Sequence, residues 1–195
     1  MIYSILHVIA KIFFGILFRL EAKGTHHIPE TGPVVMCSNH ISYWDPPVLG
    51  TPLKRRVHYM AKAELFEVPL LSWLIRELGA FPVKRGGVSK DSIRTAQRLL
   101  QEGKMIGIFP EGTRTRDGSA AAKRGAASLA LKTGATVIPV AIIGNYKPFR
   151  KVRIHYGPPV DLSEFAGDDS PQAQERATVK IMTAIRGLEA VHEWK

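Results

Sequence analysis

The run Pro33-Val34-Val35-Met36-Cys37, followed at once by Ser38-Asn39-His40-Ile41-Ser42-Tyr43-Trp44-Asp45-Pro46-Pro47, constrains the fold more than any other stretch. An apolar run without alternation reads as a strand covered on both faces, which demands a layer on either side of its sheet. The chain enters this strand through Thr31-Gly32-Pro33, so the polar cluster lies just past the strand's carboxyl end. In open α/β sheets ligands bind at that edge. A second buried-strand pattern, Met105-Ile106-Gly107-Ile108-Phe109, also opens directly into a polar loop, Pro110-Glu111-Gly112-Thr113-Arg114. Two strand ends thus bring His, Asp, Glu and Arg toward one edge.

Four residues separate His40 from Asp45. On a continuous helix that five-residue step turns the chain by roughly 500°, so the two side chains would not share a face. They can meet only across a turn, and Pro46-Pro47 supply one by barring a helix that runs through Asp45. Pro46 can then open a new helix, with Asp45 as its N-cap. An imidazole held by a carboxylate is a general base of fixed tautomer, the arrangement that activates a hydroxyl in serine hydrolases. The chain has no Gly-x-Ser-x-Gly elbow, which leaves a substrate hydroxyl as the group to activate. The competing reading is an ordinary turn histidine beside a capping aspartate.

The order Asn39-His40-(four residues)-Asp45, then Gly79-Ala80-Phe81-Pro82-Val83-Lys84-Arg85, then Phe109-Pro110-Glu111-Gly112-Thr113-Arg114, then Val137-Ile138-Pro139-Val140 resembles the four blocks of the glycerolipid acyltransferases. The pattern is most similar to the bacterial 1-acylglycerol-3-phosphate acyltransferases and runs from about residue 24 to about residue 156. Pro82 departs from the second block, where the family often has another apolar residue. The resemblance implies that His40 is the base acting on the acceptor hydroxyl and that Asp45 orients it. The hydroxyl then attacks an acyl thioester without an acyl-enzyme. It further implies an acceptor-phosphate site at Arg85, Glu111, Gly112, Thr113 and Arg114, with Asn39, Lys84 and Lys123 as additional substrate contacts. Residues 137–140 resemble the block associated with the acyl donor, and Lys123 with Gly125 the family's lysine-x-glycine.

The chain carries 27 Lys and Arg against 17 Asp and Glu, a net charge of +10. The surplus is uneven: residues 54–153 hold 20 basic and 7 acidic side chains, whereas residues 154–195 hold 4 and 7. The middle of the chain is therefore expected to seek anions, whether anionic lipid, a phosphorylated substrate or nucleic acid, or to present a merely solvated basic surface. Nucleic acid is disfavoured, since no interleaved aromatics, zinc pattern, helix-turn-helix or RNA-binding sheet signature accompanies the charge. Cys37 is the only cysteine, which rules out intrachain disulfides and fits a reducing cytosolic setting. As a nucleophile near His40 it would have to be exposed, and its place in the apolar run favours a buried small hydrophobe. His26 and His27 are adjacent and lack a further ligand at suitable spacing, so no metal site is expected.

Residues 1–20 form a separate apolar segment in which Ser4, His7, Lys11, Gly15 and Arg19 recur at helical steps. They make a narrow polar stripe on an otherwise apolar helix. A span across a bilayer would put Lys11 near its centre at roughly 2.5–3.5 kcal/mol, a cost avoided by lying in the interface. The alternative is a helix packed on the protein's own core. No basic region precedes the apolar run and Glu21-Ala22-Lys23-Gly24 is not a small-residue cleavage site, so signal cleavage is not expected.

The remaining pattern predicts a short helix from Pro46, strands at 57–61, 81–83, 136–143 and 151–156, a helix capped by Ser89 and running to Glu102, and helices at 123–133 and 171–192. Residues 64–78 have helical periodicity interrupted by Pro69, so a kinked or broken helix is expected. Its Leu70, Leu71, Trp73, Leu74 and Ile75 would line an acyl-chain groove or pack into the core. Strands alternating with helices mean one layered α/β domain at 21–195, its sheet mostly parallel or mixed, with helices on both faces, preceded by a membrane-associating amphipathic helix at 1–20. The expected reaction is acyl transfer from acyl-CoA or acyl carrier protein to a lysophospholipid, most simply 1-acylglycerol 3-phosphate, giving phosphatidic acid. No cofactor is expected, and the expected location is the cytoplasmic face of the cell membrane, in contact with anionic lipid. Another lysophospholipid or glycerol 3-phosphate as acceptor, or a non-catalytic basic membrane-binding module, are the alternatives.

Overall fold

The computed structural model describes residues 2–83, 90–112 and 122–190. Its strands are β1 (Glu21–Lys23), β2 (Val34–Ser38), β3 (Val57–Lys62), β4 (Ala80–Val83), β5 (Met105–Ile108), β6 (Thr136–Gly144) and β7 (Val152–Tyr156). They form a single sheet in the order β1-β7-β6-β2-β5-β3-β4. The helices are α1 (Ile2–Leu17), α2 (Asp45–Gly50), α3 (Pro69–Glu77), α4 (Lys90–Gln101), α5 (Gly125–Thr133) and α6 (Pro171–Ala190). Every strand pairing is parallel except that of β6 with β7. The expected layered α/β architecture with a mostly parallel sheet is the one observed.

β2 is the central strand, and all five of its residues are buried. Val35 and Cys37 face a layer made by α4, α5 and α6, while Val34 and Met36 face a layer that includes Phe14 and Phe18 and the α2 residues Val48 and Leu49. Each fully buried Val, Leu, Ile or Met contributes about 1.5–3 kcal/mol, so a strand apolar on both sides is stable only between two such layers. The connection after β2 passes through α2 on one face toward β3, and that after β5 passes through α5 on the other face toward β6. Adjacent strands whose connections leave in opposite directions open a crevice at their carboxyl ends.

Pro82 lies on β4, at the edge of the sheet, where a missing N–H costs no ladder bond on the open side. The segment with Pro69 is broken as expected, into a 3-10 turn (Ala63–Phe66) and α3, with Pro69 in the first turn. Gly134 (φ 63°) closes α5, which begins at Gly125, two residues later than expected. Ser170 caps α6 by accepting the Ala173 N–H. The cap expected at Ser89 lies outside the described residues, and α4 runs from Lys90.

β1 was not expected, because Glu-Ala-Lys has no apolar pattern. Its backbone pairs with β7, and Glu21 forms ion pairs with Lys151 and Arg153. Part of the positive surplus in the middle of the chain is structural. Arg55 donates to the carbonyls of Pro29, Gly32 and Gly103, and Arg56 donates to those of Arg76 and Glu77 at the end of α3.

α1 packs one side against the domain and leaves the other exposed. Tyr3, Leu6, His7, Ala10, Phe14 and Leu17 turn inward, and His7, placed by periodicity in the polar stripe, donates from Nε2 to the Thr51 carbonyl. The opposite side exposes Ile5, Ile9, Ile12 and Ile16, each more than half accessible, together with Lys11. Among the described residues no helix is long and apolar enough to cross a membrane.

Candidate active site

Three loops meet at the carboxyl edge of the sheet, those following β2, β5 and β6. Asn39, the first residue past β2, is buried, and its amide is engaged at both ends. Oδ1 accepts the Ile142 N–H at 2.7 Å, while Nδ2 donates to the Ile142 carbonyl (2.9 Å) and to Glu189 on α6 (2.8 Å). The side chain thus ties β2 to β6 and to the last turn of α6, fixing the stem from which the next loop departs. Glu189 is held above the usual carboxylate range by burial and by the charge of Glu111, partly offset by the Asn39 bond.

The turn brings His40 and Asp45 together, with Nδ1 2.7 Å from Asp45 Oδ2. The same oxygen accepts the backbone N–H groups of Ile41 (2.6 Å) and Ser42 (2.7 Å). Asp45 is therefore not an N-cap: it is the first residue of α2, and its carboxylate reaches back into the turn instead of forward to the helix amides. The chain gains more this way, because the two amides it binds would otherwise be left without partners in a crowded turn. The Asp45 side chain is fully inaccessible, that of His40 is 17% accessible, and the imidazole stacks on Phe109 from the β5 loop at 4.2 Å between ring centres. Held by Asp45 and by this stacking, the ring donates from Nδ1 and keeps Nε2 to take a proton.

Past β5, Glu111 is buried and Gly112 adopts φ 66°. Lys123 lies over Gly112 so closely that an added Cβ would stand 3.1 Å from its Nζ, and the Lys123 N–H donates to the Pro110 carbonyl at 2.8 Å. The loop and the start of α5 are therefore bound to each other, and glycine is what lets the ammonium cross it. Lys84, Arg85, Thr113 and Arg114 lie outside the described residues.

Cys37 is fully buried, and burial pushes its thiol up to about 12, so thiolate chemistry at this position is overturned. α3 contains no buried residue, and Leu70 and Trp73 are exposed, which removes core packing as the role of those two side chains.

Sequence reasoning missed Tyr146, whose hydroxyl donates to the second oxygen of Asp45, Oδ1, at 2.6 Å. It also missed Glu189 and the stacking by Phe109. A signal for Tyr146 existed: Gly144-Asn145-Tyr146 directly follows a strand whose carboxyl end falls at the same sheet edge. Nothing in the sequence brings residue 189 to residue 39, a contact made only by the packing of α6.

The buried carboxylate and the oriented imidazole can take a proton from a hydroxyl. Ser42 accepts the Trp44 N–H, and Ser38 points at Asn39, so neither neighbouring serine is presented to His40. The acyltransferase family model matches residues 19–143, which include both strand ends and the dyad. The chain is 30% identical to a 1-acyl-sn-glycerol-3-phosphate acyltransferase of Bacillus subtilis (strain 168) over 92% of each chain. It is 32% identical to 1-acyl-sn-glycerol-3-phosphate acyltransferase LPAT1, chloroplastic, of Arabidopsis thaliana over 72% of this chain but only 42% of that relative. Its fold is similar to the crystal structure of the 1-acyl-sn-glycerophosphate (LPA) acyltransferase PlsC from Thermotoga maritima, with a TM-score of 0.77 and 26% identity, covering 99% of this chain and 81% of that one. The family model spans most of the chain, including the turn past β2 that joins His40 to the buried Asp45, and this protein is a member of the acyltransferase family.

Proposed function

We propose that this acyltransferase moves a fatty acyl group from an acyl thioester to the free hydroxyl of 1-acylglycerol 3-phosphate, giving phosphatidic acid. The observation that carries the reading is the His40–Asp45 pair, held at the crevice by four hydrogen bonds to one carboxylate, with the Ser38 and Ser42 hydroxyls turned to other partners and Cys37 buried. His40 Nε2 takes the acceptor's hydroxyl proton as the hydroxyl oxygen attacks the thioester carbonyl carbon. The carbon–sulfur bond of the tetrahedral intermediate then breaks, and the imidazolium returns its proton to the departing thiolate. A thioester is already activated, so a direct transfer of this kind needs neither a covalent enzyme intermediate nor a cofactor.

We assign the acceptor's phosphate to the site of Arg85, Glu111, Gly112, Thr113 and Arg114, with the two guanidiniums as its main anchors and Lys123, lying over Gly112, adding charge. A guanidinium grips phosphate through two parallel bonds where lysine offers a point charge. The outward isoleucines of α1 and the basic middle of the chain would seat the protein on anionic lipid at the cytoplasmic face of the cell membrane, where its lipid substrates reside. Acyl-CoA or acyl carrier protein would deliver the acyl group.

The test is to incubate the purified full chain with a labelled acyl thioester and a panel of acceptors in detergent or vesicles, following thiol release. The fastest release is expected with 1-acylglycerol 3-phosphate. Arg85→Ala or Arg114→Ala should lower kcat/KM for that acceptor by about ten- to a hundredfold, the worth of one charge-assisted contact. Equal use of acceptors with and without the phosphate would remove the acceptor assignment. No acceptor-dependent release at all would leave a non-catalytic membrane-binding module.

A further inference from the structure

Asp45 divides its two oxygens between different tasks. Oδ2 takes His40 and two backbone amides, whereas among the described residues Oδ1 takes the phenol of Tyr146, at 2.6 Å. This phenol comes from the loop after β6, about a hundred residues downstream, and is the side chain that fixes the far edge of the carboxylate. Burial, then the charge of Asp45 and the bond to it, raise the Tyr146 hydroxyl far above its ordinary range, so it remains a donor at any working pH. Its ring is gripped in turn by Phe18, edge-on at 5.2 Å. Phe18 is buried and belongs to an aromatic cluster with Phe14 and Trp44. The backbone repeats the link: the Phe149 N–H donates to the Leu17 carbonyl and the Val152 N–H to that of Phe18. The loop that presents the phenol is therefore laced to the foot of α1.

We infer that Tyr146 is a positioning residue for the transfer reaction: through Oδ1 it sets the plane of the Asp45 carboxylate, hence the direction of His40, and the foot of α1 holds it there through Phe18. The inference rests on the reading of His40 as the base. A carboxylate bonded at one oxygen only can swing about its Cβ–Cγ bond and take the imidazole with it. Bonded at both, it is locked, and a displacement of the base by one ångström is enough to cost a large factor in rate. The phenol also draws charge away from the oxygen facing His40. Without it that oxygen carries more charge and holds the imidazole more strongly. Among the described residues, Glu189 from α6 and Lys147 beside the tyrosine line this cleft, while Glu111, whose charge acts on Glu189, and Lys123 over Gly112 lie at the same sheet edge.

Tyr146→Phe isolates the claim, since it keeps the ring against Phe18 and deletes one hydroxyl. Wild type, Tyr146→Phe, Phe18→Leu, the double variant and His40→Ala are assayed for acceptor-dependent thiol release across pH, with melting temperatures alongside. Tyr146→Phe is expected to lower kcat about tenfold with KM for both substrates within twofold, and to move the acid limb of kcat/KM up by about half a pH unit or more. Phe18→Leu should slow the wild type and add little further to Tyr146→Phe, since both act through one bond. If the wild type is active and His40→Ala is not, an unmoved acid limb in Tyr146→Phe, or a loss that appears only in KM or melting temperature, overturns the inference and leaves the tyrosine a packing group. Additive losses in the double variant sever the link to α1. A wild type without transfer, or an active His40→Ala, takes down the reading of the base and this inference with it.

Discussion

Asp45→Asn and Asp45→Ala at the same buried position should fail in different ways. The carboxylate accepts four hydrogen bonds, three at Oδ2 and one at Oδ1. Asparagine can turn its oxygen to His40, Ile41 and Ser42 and its amide to Tyr146, whose hydroxyl oxygen can accept. The fold then keeps its bonds, and what disappears is the negative charge. With charge centres about 4 Å apart and an effective dielectric constant of about 20, attraction for the imidazolium formed during proton transfer is ~4 kcal/mol, or roughly three orders of magnitude in kcat. Alanine instead strands the two amides, the imidazole and the phenol. At ~1–3 kcal/mol for each buried donor left alone, the two amides by themselves cost about 2–6 kcal/mol, which lowers the melting temperature of a chain this size by roughly ten degrees. The assay is thiol release with saturating acceptor, paired with thermal melting of each variant. Asp45→Asn turning over within threefold of wild type would refute the electrostatic reasoning. Asp45→Ala melting with the wild type would refute the account of the turn.

Cys37→Ala should keep turnover within about twofold, and native protein should resist alkylation, because its thiol is inaccessible and stays protonated at neutral pH. Replacing Ile9 and Ile12 by Glu should leave helix content unchanged but weaken vesicle flotation by tenfold or more, since each exposed isoleucine would otherwise contribute up to about 1.5–3 kcal/mol on burial in lipid. Gly112→Ala places a Cβ against Lys123 at φ 66°, and should cost about 1–2 kcal/mol of stability and raise KM for the phosphate-bearing acceptor more than for the thioester.

The fold was legible where sequence periodicity and burial coincide. The apolar runs before Ser38 and before Phe109 became neighbouring central strands, and the turn forced by Pro46-Pro47 brought His40 to Asp45. The direction in which the Asp45 carboxylate points was not legible, because a cap and a reach back into the turn use the same residue at the same place. β1 escaped for a different reason: Glu-Ala-Lys becomes a strand because β7 offers a free edge, with Arg153 on it and Lys151 just before it pairing with Glu21. His7 has the spacing of a solvent-facing stripe yet turns inward, since the Thr51 carbonyl needs a donor there and periodicity carries no information about distant carbonyls. Tyr146 and Glu189 belong to the same class of omission, reaching Asp45 and Asn39 across 101 and 150 residues.

Acceptor-dependent thiol release by His40→Ala, measured beside the wild type with both substrates saturating, tests direct base-assisted transfer without intermediaries. The expected outcome is a fall of about 10²–10⁴ in turnover with the melting temperature preserved, and no burst of thiol from the wild type when acceptor is omitted. Near-normal turnover by His40→Ala, or a burst equal to the enzyme concentration without acceptor, would contradict it.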